Sequence, residues 1–83
     1  MYLHLGADTV VRTADVVAVL DADNATAGKS TADFLRKAQE RGRLTDVDGA
    51  LPKSITVCGD KVYFSQISAA TLLKRIQKTD ALL

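Results

Sequence analysis

The first third of the chain arranges its apolar residues in a pattern that predicts three β-strands. Residues 2–5 (YLHL) alternate and stop at Gly6, and the β-branched stretch 9–12 (TVVR) is expected to pair back on them as a hairpin. Residues 16–20 (VVAVL) form a short, continuous, valine-rich apolar run, which predicts a central strand of a sheet. The polar residues 21–29 (DADNATAGK) are expected to form the loop that follows.

A second hairpin is predicted in the later half of the chain. Residues 55–58 (ITVC) and 61–65 (KVYFS) are rich in β-branched and aromatic side chains, and only residues 59–60 (GD) separate them. Glycine at the first turn position suits a tight type II′ turn. Pro52 cannot donate to a strand ladder, so we expect it at the start of this hairpin, after a turn-rich connection over residues 45–51.

Helical periodicity occurs in two further segments. The first helix is predicted over residues 31–41, because Ser30 with Asp33 approximates a capping box and Gly42 is a C-cap signal. The second is predicted after Ser68, a suitable N-cap residue. One face of each predicted helix is apolar: Phe34, Leu35 and Ala38 in the first, and Ala69, Leu72, Leu73 and Ile76 in the second.

Size and composition favour one small domain over residues 1–83. We predict an α+β fold with a small, mainly antiparallel β-sheet and two helices. A chain of this size buries only about 60% of its unfolded surface, and 47% of its residues are hydrophobic, so we expect it to gain stability as an oligomer. A single cysteine fits a reducing compartment. Neither a secretory signal nor an apolar run of about 20 residues is present, which predicts a cytoplasmic protein without a membrane partner.

The charges are distributed unevenly along the chain. Residues 1–28 hold one base and four acids, a net charge of −3, whereas residues 29–83 hold ten bases and six acids, a net charge of +4. A molecule of this kind could self-associate head to tail or present its basic half to a polyanion, and the bases could equally form an ordinary solvated surface. Lys53 precedes a predicted strand, and the bases on or beside the two predicted helices are Lys29, Arg36, Lys37, Arg41, Arg43, Lys74, Arg75 and Lys78.

Residues with catalytic or ligand-binding potential are isolated in this sequence. Residues 23–30 (DNATAGKS) end like a phosphate-binding loop, but Asp23 replaces the first glycine, so we expect a polar loop and no nucleotide. His4 has no second histidine to share a metal or to act as a base, and we expect it to be structural or at an interface. Cys58 is expected to be a buried, small apolar residue. We therefore predict no enzyme activity, catalytic residue, metal, cofactor or small-molecule substrate.

Several short segments, in their order and spacing, resemble one family of bacterial proteins. These segments are residues 2–6 (YLHLG), 15–21 (DVVAVLD), 52–55 (PKSI), 62–65 (VYFS), 67–68 (IS) and 71–75 (TLLKR). They are similar to the RemA/RemB family of small extracellular-matrix regulators, and most similar to its RemB branch. The resemblance implies a fold like that of LytTR DNA-binding domains. It also implies assembly as a homo-oligomer, since the RemA-like branch forms rings that bind DNA.

The same resemblance implies which residues would meet DNA. RemA-like members carry adjacent arginines in the loop before Pro52, at positions that are Ala50 and Leu51 here, whereas Lys53 matches a basic position in both branches. The implied function is transcriptional regulation of extracellular-matrix (biofilm) genes through binding of duplex DNA backbone by the homo-oligomer. The DNA-binding residues that the resemblance implies are Lys53, Arg41 and Arg43. The alternative is an oligomeric protein-interaction module that binds no DNA and modulates a regulator.

Overall fold

The computed structural model describes residues 1–25, 28–47, 49, 51–59 and 61–81, and it has an α+β fold. The described residues form six strands: β1 (Tyr2–Gly6), β2 (Thr9–Arg12), β3 (Val16–Asp21), β4 (Leu44–Asp46), β5 (Ser54–Cys58) and β6 (Lys61–Ser65). Three α-helices are present in the described residues: α1 (Ala22–Ala25), α2 (Lys29–Glu40) and α3 (Ala69–Ala81). A short 3-10 turn over Thr13–Asp15 connects β2 to β3.

The strands form two sheets instead of the single sheet that the sequence predicts. β1 and β2 make a separate antiparallel hairpin, as expected from their sequence. The other four strands lie in the order β3-β5-β6-β4, with β5 and β6 joined as the predicted hairpin. β4 runs parallel to β6, so the larger sheet is mixed. The α+β class is confirmed.

The prediction of a central strand over residues 16–20 is wrong, because β3 lies at the edge of the larger sheet, next to β5. Its apolar sequence reflects burial on both faces: Val19 packs into one core cluster and Leu20 into the other. Val17 is exposed at a register shift between Val16 and Ala18. The apolar run therefore reflects packing on both faces of β3 and does not indicate a position in the middle of the sheet.

The predicted boundaries of the first helix and its preceding loop are also corrected. Within the expected loop over residues 21–29, one helical turn (α1) forms directly after β3. α2 begins at Lys29, and Gly28 in an extended conformation is its N-cap, without a side-chain capping hydrogen bond. Ser30 therefore lies inside the helix and forms no capping box. The expected connection over residues 45–51 contributes two of the three residues of β4.

The core consists of two clusters, one on each face of the larger sheet. Alternate residues of a strand point to opposite faces, so Tyr63 faces the first cluster while Val62 and Phe64 face the second. The first cluster joins the sheet to the β1–β2 hairpin and α3, and its buried members are Leu3, Leu5, Val11, Cys58 and Leu72. The second joins it to α1 and α2, and its buried members are Ala22, Leu35, Ala38, Ile55 and Val62.

The last helix follows its predicted pattern except at one position. Ser68 caps it as expected, because the Thr71 main-chain N–H donates to Ser68 Oγ at 3.2 Å. Leu72 is fully buried, but Leu73, predicted on the apolar face, is exposed. Among the described residues, no helix is long and apolar enough to cross a membrane.

Candidate nucleic-acid interface

The end of α2 fixes the main chain on both sides of Gly42. The N–H of Gly42 donates to the carbonyl of Gln39 at 3.1 Å, and the N–H of Arg43 donates to that of Ala38 at 2.9 Å. These two bonds form a Schellman motif, which needs a left-handed residue after the helix, and Gly42 has a φ of +68°. The motif reverses the chain direction and leaves Arg41 and Arg43 exposed on either side of the glycine.

Arg43 is held against the larger sheet through its main chain. Its carbonyl accepts a hydrogen bond from the N–H of Val62 at 2.9 Å, and Leu44 then pairs with Val62 at the start of β4. The guanidinium of Arg43 therefore extends from a backbone that both a helix end and a sheet immobilise.

A groove lies between α2 and the β5–β6 turn, and we call it the α2 groove. Its volume is about 170 Å³. One face of α2 contributes four residues at the i, i+3, i+4, i+7 spacing that aligns side chains on a helix. The residues that line the groove are Phe34, Lys37, Ala38, Arg41, Arg43, Gly59 and Val62.

The lining combines an apolar floor with a cationic rim. Phe34 is 46% exposed although the sequence predicts it on the apolar stripe, whereas Ala38 and Val62 are buried. The rim is formed by Lys37, Arg41 and Arg43, and the described lining contains no acid. Cations near a helix C-terminus are favoured by the helix dipole, which offsets part of their mutual repulsion.

Lys53, the third predicted DNA-binding residue, lies at a different place. Its N–H donates to the carbonyl of Ser65 at 2.8 Å, and its carbonyl accepts from the N–H of Ala22 at 3.1 Å. The backbone is thus fixed between β6 and α1 while the side chain is exposed. We call the adjoining cavity, of about 510 Å³, the Lys53 cavity; its lining residues are Asp21, Asp23, Leu51, Pro52, Lys53 and Ser68.

The structure brings Arg41 and Arg43 together and separates both from Lys53. β4 runs parallel to β6 and β5 runs antiparallel to it, so the starts of β4 and β5 lie towards opposite ends of β6. Arg43 bonds to Val62 near one end and Lys53 bonds to Ser65 at the other, three residues or about 10 Å along the strand. In one copy of the chain, the predicted bases therefore form two groups in two cavities.

The remaining bases have other surroundings. Arg36 pairs with Asp33 at 3.3 Å on the exposed surface of α2. Arg75 donates to the main-chain carbonyl of His4 at 3.1 Å, which ties α3 to β1. Lys74 is exposed on α3 and lines neither of the two cavities. The side chain of Lys78 and the position Ala50 lie outside the described residues.

The isolated histidine and cysteine occupy structural positions. His4 Nε2 lies 2.8 Å from the carbonyl oxygen of Ala7 and so supports the β1–β2 turn, where Ala7 has a φ of +44°. Cys58 is buried as predicted. Burial raises the pKa of its thiol, and the negative charge of Asp15 raises it further. A raised pKa keeps the thiol protonated, which disfavours nucleophilic chemistry.

The sequence alone does not single out Lys37 or Phe34 as residues of the α2 groove. Lys37 is one of many bases in the sequence. The signal that could identify it is its i, i+4 spacing to Arg41, which places both residues on one helix face. Phe34 was expected in the core, and only the packing of α2 through Leu35 and Ala38 shows that Phe34 lies at the margin of the buried face.

Comparison with known proteins defines the class of this molecule. Residues 2–76 match the family described as "RemA-like: Extracellular matrix regulatory protein A-like". The chain belongs to this family, whose name designates regulatory proteins and no enzyme. Extracellular matrix regulatory protein B from Bacillus subtilis (strain 168) is 42% identical over 77 residues, which cover 93% of this chain and 91% of that relative. These two matches confirm the resemblance to the RemA/RemB family that the short sequence segments indicate.

Proposed function

We propose that this chain is a cytoplasmic transcriptional regulator of extracellular-matrix (biofilm) genes that binds duplex DNA as a homo-oligomer of single, LytTR-like domains over residues 1–83. The observation that carries the proposal is the cationic rim of the α2 groove, where Arg41 and Arg43 extend from an immobilised backbone. Arginine binds phosphate with a planar fork of donors, and rigid positioning lowers the entropy lost on binding.

The proposed contacts are to the phosphate backbone. One copy offers Arg41 and Arg43 at one place and Lys53 at another, which is few contacts for specific binding. Repetition of these residues in an oligomer multiplies the contacts along a duplex and raises the overall affinity. Phosphate contacts fix position and carry little sequence information, so we expect modest sequence selectivity and a strong dependence on salt.

A second candidate function is supported by exposed apolar side chains. Leu51, at a position where RemA-like members carry an arginine, is 88% exposed, and Phe34 is 46% exposed in the α2 groove. Exposed apolar groups beside charges are typical of protein–protein contact surfaces. They favour an oligomeric interaction module that modulates a regulator without binding DNA itself.

Fluorescence anisotropy of a labelled, AT-rich duplex separates the two functions. We expect the wild-type protein to bind at low salt and to weaken steeply at near-physiological salt. Lys53→Glu and Arg41→Glu are each expected to weaken binding at least about tenfold, because each removes one phosphate contact per copy and adds repulsion. Lys74→Glu, the matched charge reversal outside both cavities, is expected to have a much smaller effect.

Two other results would reject DNA binding through these residues. If the assembled protein does not bind the duplex at low salt, or if Lys74→Glu weakens binding as much as the other two substitutions, Lys53 and Arg41 do not form a DNA-binding surface. The interaction module would then be the better description, and protein partners would be sought.

A further inference from the structure

One exposed apolar side chain stands out beside two acids at the Lys53 cavity. Leu51 is 88% exposed, and Asp21 and Asp23 line the same cavity. We call these three residues the Leu51 knob. Contact with another apolar surface would remove this leucine side chain from water, and that burial stabilises the contact.

The two acids of the knob lie on a fixed backbone. Asp21 Oδ1 accepts hydrogen bonds from the main-chain N–H of Asp23 at 2.9 Å and of Asn24 at 3.4 Å, which holds the first turn of α1. The bond from the N–H of Ala22 to the carbonyl of Lys53 then ties α1 to the segment that follows Leu51. The two acids therefore keep a defined position relative to this segment.

The α2 groove matches the knob in size and is opposite to it in charge. Its floor of Phe34, Ala38 and Val62 is apolar, and its volume of about 170 Å³ is similar to that of cavities of about 150 Å³ that hold a benzene-sized apolar group. Its rim carries three positive charges, opposite in sign to the two acids of the knob. Opposite potentials on two surfaces favour and orient their contact.

We propose that Leu51 of one copy inserts into the α2 groove of a second copy, with Asp21 and Asp23 facing the groove's cationic rim. The two surfaces are different and lie towards opposite ends of β6, so the contact is heterologous and joins copies head to tail. A pair joined in this way keeps one free groove and one free knob, and repetition builds a ring or an open chain. This inference rests on the homo-oligomer of the proposed function and does not require DNA binding.

The junction explains how the separated bases act together. Lys53 follows Leu51 by two residues, so insertion of the knob brings Lys53 of one copy next to Arg41 and Arg43 of the next. The acids do not neutralise the junction, because Asp21, Asp23 and Lys53 sum to −1 and the three rim cations to +3, leaving +2. Every junction therefore carries a cationic surface that combines Lys53 of one copy with Arg41 and Arg43 of the next, a combination that a single copy lacks.

A mixing experiment tests the head-to-tail contact directly by sedimentation velocity without DNA. Leu51→Asp disables the knob and leaves the groove, whereas Phe34→Asp disables the groove and leaves the knob. We expect each variant alone to sediment as single copies and the equimolar mixture to form dimers of two copies and nothing larger, because only one knob and one groove remain intact. Wild-type protein is expected to form the full assembly.

Controls keep the test independent of folding. Leu73→Asp places the same charge at another exposed leucine, on α3, and is expected to leave the wild-type mass unchanged. Lys37→Glu is a second groove variant that leaves the apolar floor intact, and it is expected to reproduce the behaviour of Phe34→Asp in the mixture. Each variant's unfolding midpoint in urea shows that it is folded.

The inference is wrong if the wild-type protein stays as single copies, or if the Leu51→Asp protein keeps the wild-type mass. It is also wrong if the mixture of Leu51→Asp and Phe34→Asp proteins yields single copies or the full assembly. DNA binding fails separately from this contact. Expected masses with no duplex binding would reject the DNA function alone. Duplex binding by a Leu51→Asp protein of unchanged mass would reject the junction alone.

Discussion

The side chain of Ser65 joins the two sheets of this fold, because its hydroxyl donates a hydrogen bond to the main-chain carbonyl of Leu5 across a separation of 60 residues. The same hydroxyl accepts from the N–H of Ile67 at 3.1 Å. Ser65 and Leu5 are both buried, so water cannot replace the hydrogen bond between them without a local opening. The β1–β2 hairpin is therefore attached to β6 by a polar contact as well as by its apolar face.

Ser65→Ala is expected to lower the free energy of unfolding by about 2–3 kcal/mol, because it leaves the buried carbonyl of Leu5 and the N–H of Ile67 unpaired. Urea unfolding followed by circular dichroism measures the change. Ser30→Ala, at an exposed position inside α2, is the matched control and should change stability by less than about 0.5 kcal/mol. Equal effects of the two substitutions would contradict the role given to Ser65.

Thr56→Val is expected to stabilise the protein. Thr56 is fully buried on β5, and among the described residues its hydroxyl oxygen has no hydrogen-bond partner. Removal of a buried, unpaired hydroxyl without loss of shape should raise the free energy of unfolding by about 1 kcal/mol. Urea titration measures it, with Thr45→Val on the exposed part of β4 as the control. A loss of stability in Thr56→Val would show that the hydroxyl is paired in solution.

Gly42→Ala is expected to lower the free energy of unfolding by about 1–2 kcal/mol, because a side chain at a φ of +68° is strained. Among the described residues other than its two chain neighbours, none has an atom within 4 Å of a Cβ added at Gly42, so the cost is conformational and not a collision. Gly42→Asn is the control, since asparagine tolerates left-handed backbone better than alanine. Thermal unfolding of the three proteins should rank them glycine, asparagine, alanine, and any other order would contradict this account.

Cys58 gives the protein a specific sensitivity to alkaline pH. Burial, and then the charge of Asp15, raise the pKa of the thiol above its ordinary value of 9.0. The folded state therefore holds this proton more tightly than the unfolded state, so its stabilising contribution is complete below pH 9.0 and is lost as the pH rises through the folded pKa. The difference in unfolding free energy between wild type and Cys58→Ala should shrink over that range. A constant difference would contradict the raised pKa.

Local pattern predicted the elements of this fold better than their arrangement. The alternation in residues 2–5 and the turn at Gly59 specify hairpins through neighbouring residues, and both hairpins form. β4 was not predicted because Leu44–Asp46 is only three residues long and contains an aspartate, a residue depleted in strands. Its parallel pairing with β6 is a non-local contact that no local signal encodes.

The candidate site shows the same limit. The bases Arg41, Arg43 and Lys53 could be selected from the sequence, but their division between two cavities depends on the opposite directions of β4 and β5 beside β6. The sequence does not predict the α2 groove either, because the floor of the groove combines Phe34 from a helix with Val62 from a strand. Charge and spacing identify candidate residues, whereas strand direction decides which of them meet.

We propose above that assembled copies of this chain bind duplex DNA through cations repeated from copy to copy. Sedimentation velocity of a labelled duplex with excess protein, at low and at near-physiological salt, tests it most directly. At low salt we expect the duplex to sediment with several copies of the protein, and we expect added salt to release the duplex while the protein stays assembled. A duplex that sediments alone at low salt beside an intact assembly would contradict the claim.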